Sequence, residues 1–180
     1  DADEVIAELH KAKTRYYVRF MEQGTITPRP GVLRLIRELR ANGIRVAIAT
    51  TTTPENVDAL LATTLKDLPA DTFEVIGAGD IVPDKKPAPD IYTWVLVKLG
   101  LPASHCIALE DSRNGVRSAT AAGLPVLVTQ STYTQGEDFA GSIAVLSDLG
   151  EPNAPCHALS GQINGSSLVD VALLRRLHGA

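Results

Sequence analysis

Apolar residues recur at two different periods along this chain, and the switches between them mark out its elements. From Asp3 to Met21 the spacing is helical: Ile6, Leu9, Tyr16 and Phe20 share one side, with His10, Lys11, Lys13, Arg15 and Arg19 interleaved. The stretch GTITPRPG breaks that pattern. VLRLIRELRANG then predicts a second helix, with Val32, Leu35, Ile36 and Leu39 at helical spacing and Asn42-Gly43 as residues that tolerate left-handed backbone at its C-terminus. After Gly43 the period changes. IRVAIAT is a short β-branched run that predicts a strand, and in the following TTTPEN Thr53 can cap a helix whose first turn suits Pro54.

The same unit recurs. FEVIGAGD predicts a strand, PAPDIYTWVLVKLG a helix ending at Gly100, HCIALED a strand, NGVRSATAAG a helix and PVLVT a strand. Strands alternating with helices imply a parallel sheet with right-handed crossovers, and such sheets bind ligands at the carboxyl ends of their strands. Thr50, Asp80 and the Glu110-Asp111 pair all fall at those ends. IAVLSDLGEP predicts an added edge strand, NAPCHALSGQINGSS a loop and LVDVALLRRLHG a closing helix. No repeat of fixed period is present.

Composition narrows the class without naming a chemistry. With 180 residues, 44% of them hydrophobic, the chain can bury the core of one compact domain plus a small appendage. Its net charge is -4 and Lys and Arg form no long block, so no nucleic-acid footprint is expected and small molecules or proteins are the expected partners. Cys106 and Cys156 lack metal-site spacing, and Cys106, inside HCIALE, predicts a buried reduced thiol. No signal-peptide pattern and no bilayer-length apolar run occur, so no membrane partner and a cytoplasmic, reducing setting are expected.

The strand ends carry the candidate chemistry. Glu110 and Asp111 repel one another, and a hard divalent cation is a natural partner for such a pair; a solvated acidic turn or a helix cap is the plainer reading. Lys86, held in a loop by the backbone restriction that Pro87 imposes, can neutralise a phosphate or a carboxylate, whereas an isolated lysine is usually an ordinary surface residue. Lys85 next to it competes for the same role. Thr50 and Thr51 present a hydroxyl and backbone N-H groups ahead of a helix, which suits phosphate oxygens as well as simple capping.

Hydroxyl, lysine and acidic pair, in the wordings AIATT, KKPAPD and LEDSRNG, resemble the successive motifs of the haloacid dehalogenase (HAD) superfamily. The resemblance implies a HAD-like α/β fold: a doubly wound parallel sheet, the Rossmann-like core, in residues 28–180, with part of a helical cap in residues 1–27. It implies that Thr50 and Lys86 are catalytic, with Thr51 joining them in binding phosphate, and that Asp111 binds Mg2+ with Glu110 as a second or outer acidic group. The wording ATTT, KKPAPDIY and EDSRNG, preceded by HKAKTRYY and RPGV, looks most like the CbbY-like branch associated with the Calvin cycle. That branch dephosphorylates sugar phosphates such as xylulose-1,5-bisphosphate, an inhibitor of Rubisco; in a photosynthetic eukaryote the plastid stroma replaces the cytoplasm. In the branch the cap closes over the substrate, which makes Lys13, Tyr17 and Arg29 candidates for its distal phosphate or hydroxyls. Arg113 and Asn114, just after the acidic pair, can reach the same cleft or simply begin a helix.

One family motif has no counterpart. HAD enzymes attack phosphorus with the first Asp of an Asp-x-Asp-Gly motif whose second Asp is the general acid and base. Residues 1–3 read DAD, but no apolar strand precedes them, Glu4 replaces the glycine and a helical pattern follows, so Asp1 and Asp3 are rejected. The resemblance implies a chain that starts partway through the cap and lacks the first core strand, inactive by itself, with a separate N-terminal fragment as its protein partner. A response-regulator receiver uses similar residues in another order and is set aside. A sugar-phosphate mutase of the β-phosphoglucomutase type shares the KPAPD and EDS wording and stays open, as does a non-catalytic homologue.

Overall fold

The computed structural model describes residues 1–24, 26–163 and 165–179, and all their side chains except those of residues 2, 3, 7, 10, 11, 21 and 22. The side chains of Asp3, His10, Lys11 and Met21, which the pattern assigns to the first helix, lie outside the described residues. Helix α1 (Ala2–Glu22) is followed by α2 (Val32–Ala41), β1 (Ala47–Ala49), α3 (Pro54–Thr63), β2 (Val75–Gly77) and α4 (Asp90–Leu99). Then come β3 (Ala108–Glu110), α5 (Arg113–Ala121), β4 (Val126–Thr129), β5 (Ala144–Leu146), β6 (Ala158–Gly161) and α6 (Val171–His178). Local chemistry sets many of these limits: α4 stops at Gly100, whose φ of 65° is left-handed, and Asp170 opens α6 by accepting the Leu173 N-H at 2.6 Å.

The strands form two sheets rather than one. β1 and β2 pair in parallel, while the second sheet runs β3-β4-β5-β6 with its first three strands parallel and β6 antiparallel. Two sequence expectations are corrected here. The run around Ala144 is no edge strand, because β6 pairs along its far side, and that strand lies within the stretch expected to be a loop. The residues Ala-Leu-Ser-Gly carry no strand signature and all stay exposed, so only pairing with β5 makes them a strand.

The four-stranded sheet is covered on both faces. Leu127 and Leu146 point to one side, where they pack with Leu35 and Leu39 of α2 and Leu173 and Leu174 of α6. Val126, Val128 and Val145 point to the other, against Ile91 and Tyr92 of α4 and Val116 and Ala119 of α5. Two-sided burial explains why PVLVT is apolar throughout instead of alternating. Arg34 of α2 fastens the C-terminal segment to this core, donating to the carbonyls of Leu149, Gly150 and Val169 and pairing with Glu38 and Glu151.

Helix α1 packs against α3. The side that carries Ile6, Leu9, Tyr16 and Phe20 stays open, with all four exposed. Cys106 is half-buried instead of buried, Cys156 is buried, and both are free thiols. Among the described residues no helix is long and apolar enough to cross a membrane.

Candidate functional site

The carboxyl ends of β1 and β3 face a common point, and Lys86 occupies it. The lysine comes from the loop before α4, where its peptide bond to Pro87 is cis. Its Nζ donates to the Ala49 carbonyl at 3.0 Å, at the end of β1, and to Glu110 Oε1 at 2.5 Å, at the end of β3. The side chains of Lys86 and Glu110 are only 14% and 6% exposed. A desolvated pair of this kind keeps its geometry because releasing either charge would leave the other buried and uncompensated. Lys85, its neighbour, turns outward to Asp80 at 2.7 Å, which also takes Asp80 out of the site.

Glu110 is enclosed on its remaining sides. The Tyr92 hydroxyl donates to the same Oε1, and Gly115 of α5 lies so close that a Cβ there would overlap the carboxylate. Burial, then the Glu110 charge, push the Tyr92 phenol far above its ordinary range, so it remains a hydrogen-bond donor. Tyr92 and Gly115 close the wordings KKPAPDIY and EDSRNG, yet nothing in the local pattern points to their contact with Glu110.

Asp111 behaves differently from its neighbour. Partial desolvation, then the adjacent Glu110, raise its carboxyl above the usual Asp range, while Lys86, its own backbone N-H and Arg29 pull it back. Among the described residues no side-chain donor reaches this carboxylate, and no group of three or more potential ligands could hold a metal ion. Mg2+ needs only one or two protein carboxylates, with water and phosphate completing its shell. Asp111 therefore fits one ligand position, and Glu110, with Oε1 already shared by Lys86 and Tyr92, fits an outer one.

Thr50 directly follows the carbonyl that Lys86 holds. Its N-H donates to Gly77 O at 2.9 Å, and its hydroxyl accepts the Thr52 N-H at 3.2 Å. The Thr52 hydroxyl in turn accepts from Asn56 at 3.1 Å. Thr51 is half-buried in the same turn. Thr53 stands at the N-cap of α3 as expected, yet its hydroxyl makes no cap bond and is buried without a partner among the described residues.

The remaining candidates divide. Arg29 lies near Asp111, but its guanidinium is already occupied: it donates to Thr129 O and Oγ1, Gln130 O and Ser147 O at 2.5–3.1 Å. Lys13 and Tyr17 are exposed on α1, and no hydrogen bond or ion pair among the described residues joins them to the site. Arg113 and Asn114 are exposed at the start of α5, where Ser112 is the N-cap and Glu137 accepts the Arg113 N-H at 2.6 Å.

A family model described as haloacid dehalogenase-like hydrolase matches residues 1–123. The chain belongs to the haloacid dehalogenase-like hydrolases. Within them it falls in the CbbY-like branch. It is 53% identical to protein CbbY of Rhodobacter capsulatus over 148 residues, 82% of this chain and 65% of that protein. It is 42% identical to the plasmid CbbY of Cupriavidus necator over 177 residues, 97% of this chain and 68% of that protein. A solved structure of a CbbY variant from Rhodobacter sphaeroides, in complex with xylulose-(1,5)bisphosphate, superposes with a TM-score of 0.75 at 46% identity, covering 79% of this chain and 64% of that one. The chain thus spans about two thirds of the length of the CbbY proteins it matches.

Proposed function

We propose that this chain forms the phosphate-facing and cation-facing walls of a HAD-type phosphatase acting on a phosphorylated sugar, with xylulose-1,5-bisphosphate as the first substrate to test. The observation that carries this reading is the Lys86 bridge between the ends of β1 and β3, with Thr50 and Asp111 beside it. The sugar is suggested by the CbbY relatives, one of which was solved with that compound. Residues 1–27 serve as part of a cap, and residues 28–180 as the core. No membrane or nucleic acid takes part, and the setting is cytoplasmic or, in a photosynthetic eukaryote, the plastid stroma.

Phosphoryl transfer asks a protein mainly for positioning and for charge that is already in place. Lys86 meets a phosphoryl oxygen with a fixed positive charge, and the Thr50 hydroxyl and the backbone of the Thr50–Thr52 turn hold a second. Asp111 would hold Mg2+, which when bound neutralises charge on the transferring oxygens. The nucleophile in this reading is an aspartate on a strand outside these residues, seated between β1 and β3, whose aspartyl phosphate water then hydrolyses. Support for that placement is the separation of β1 from β3 into two sheets.

The test is phosphate release from xylulose-1,5-bisphosphate with and without Mg2+, by the 180-residue chain and by the chain joined to an N-terminal CbbY segment. Release only in the joined protein, cut by Asp111→Asn beyond the roughly 10–100-fold typical of outer-shell partners, is the expected result. Isomer formation without phosphate would favour a mutase, turnover by the short chain would overturn the assignment of the nucleophile, and silence in both would favour a non-catalytic homologue.

A further inference from the structure

Tyr92 touches both members of the central ion pair with different parts of one side chain. Its hydroxyl donates to Glu110 Oε1, the oxygen that also receives Lys86. Its ring faces the Lys86 ammonium, with Nζ 4.8 Å from the ring centroid, within range of a cation–π contact. A tyrosine serving only as packing needs no such pair of contacts. Tyr92 is 8% exposed and rooted in the first turn of α4, next to the fully buried Ile91, so it cannot swing away without opening the core.

The consequence for Lys86 follows from counting its donors. An ammonium has three N-H groups. One goes to Ala49 O and one to Glu110, which among the described residues leaves a third. Glu110 could take that third proton as well by turning both oxygens to Lys86. Three features resist the turn: the phenol holds Oε1, the Asp111 N-H donates to Oε2 at 3.4 Å, and Gly115 of α5 leaves the carboxylate the space that a Cβ would fill.

We propose that Tyr92 is a positioning residue: its hydroxyl locks the Glu110 carboxylate and its ring sets the Lys86 ammonium, so that one Lys86 N-H stays free for a phosphoryl oxygen. The identity of that oxygen rests on the phosphatase reading, whereas the locking of Glu110 and Lys86 belongs to the chain itself.

The experiment uses Tyr92→Phe, which keeps the ring and removes the hydroxyl, and Tyr92→Leu, which removes both. In the 180-residue chain with 15N-labelled lysine, the Lys86 ammonium signal is assigned by its loss in Lys86→Met. Proton exchange at that signal should quicken about tenfold in Tyr92→Phe, as for the loss of one hydrogen bond to a charged group, and more in Tyr92→Leu. In the joined protein, Tyr92→Phe should lower kcat about tenfold and leave KM within about twofold, since the contact matters most as charge moves in the transition state. A Lys86 signal that is the same in Tyr92→Phe and wild type overturns the proposal, and so does an unchanged kcat. If Tyr92→Leu fails to fold, Tyr92→Phe with an unshifted melting temperature decides alone. If wild type releases no phosphate, the phosphatase reading fails, and the ammonium signal still decides whether Tyr92 locks the pair.

Discussion

Strands β1 and β4 are both short, apolar and parallel to a neighbour, yet β4 is buried at Val126, Leu127 and Val128 while β1 is half-covered at every position. Composition does not explain this: Ala-Ile-Ala is no more polar than Val-Leu-Val in any way that matters for burial. Neighbours do. β4 has a strand on each side, α2 and α6 over one face, and α4 and α5 over the other. Among the described residues β1 pairs with β2 alone and meets α4. The candidate site sits where the well-covered half meets the open half, and Lys86 reaches across that junction from the loop before α4, which itself packs on both sheets. The covered half therefore supplies the rigid positioning of Lys86 and Glu110.

That contrast can be broken by cutting into each half in turn. Leu127→Ala, in the covered half, should cost about 2–5 kcal/mol of unfolding free energy, whereas Ile48→Ala in β1 should cost less than half as much; chemical denaturation of both variants checks the ratio. Equal losses would mean that β1 is buried in solution by something the contrast ignores. Arg29→Ala tests whether the covered half extends to the site rim. Losing a guanidinium that holds three carbonyls and a hydroxyl should cost roughly 2–3 kcal/mol, read as a lower melting temperature. An unshifted melting temperature, with only substrate affinity lost, would return Arg29 to the substrate role that the cap resemblance suggested.

Gly115→Ala sharpens the comparison at the junction itself. The added methyl would overlap the Glu110 carboxylate, and displacing either helix or carboxylate should cost about 1–3 kcal/mol in denaturation while also disturbing the Lys86 signal. The smallest effect lies on the open half, where Arg45 holds Glu74 through two hydrogen bonds of 2.5–2.6 Å. The Arg45 hydrogen bond, then its charge, keep the Glu74 carboxyl below its ordinary value of 4.5. A depressed acid stabilises the folded state above its unfolded pKa, and that contribution disappears as pH falls through the folded value. Glu74→Gln should thus be slightly less stable than wild type at neutral pH, and the two stability curves should converge as pH falls through the depressed Glu74 value, as thermal melts across the acid range would show. Parallel curves throughout would remove the ion pair from the account of this half.

The sequence alone determined the alternation of strands and helices up to β4, the closing helix α6, the α/β class, and the loops and strand ends that carry Thr50, Lys86, Glu110 and Asp111. Those features are written in local patterns: period 2 against period 3.6, Gly100 and Asn42-Gly43 at helix ends, polar residues just after β-branched runs. The wording of the motifs also carried the family. Tertiary structure alone decided the rest. It paired Ala-Leu-Ser-Gly with β5, turned Arg29 toward backbone carbonyls, separated Lys86 from Lys85, and gave Glu110 and Asp111 different surroundings despite their adjacency. Alternate residues of a strand face opposite ways, and the long side chains of Arg and Lys choose among partners brought close only by folding. Hence adjacent letters in the sequence part company in space, while Tyr92 and Glu110, 18 positions apart, share a hydrogen bond.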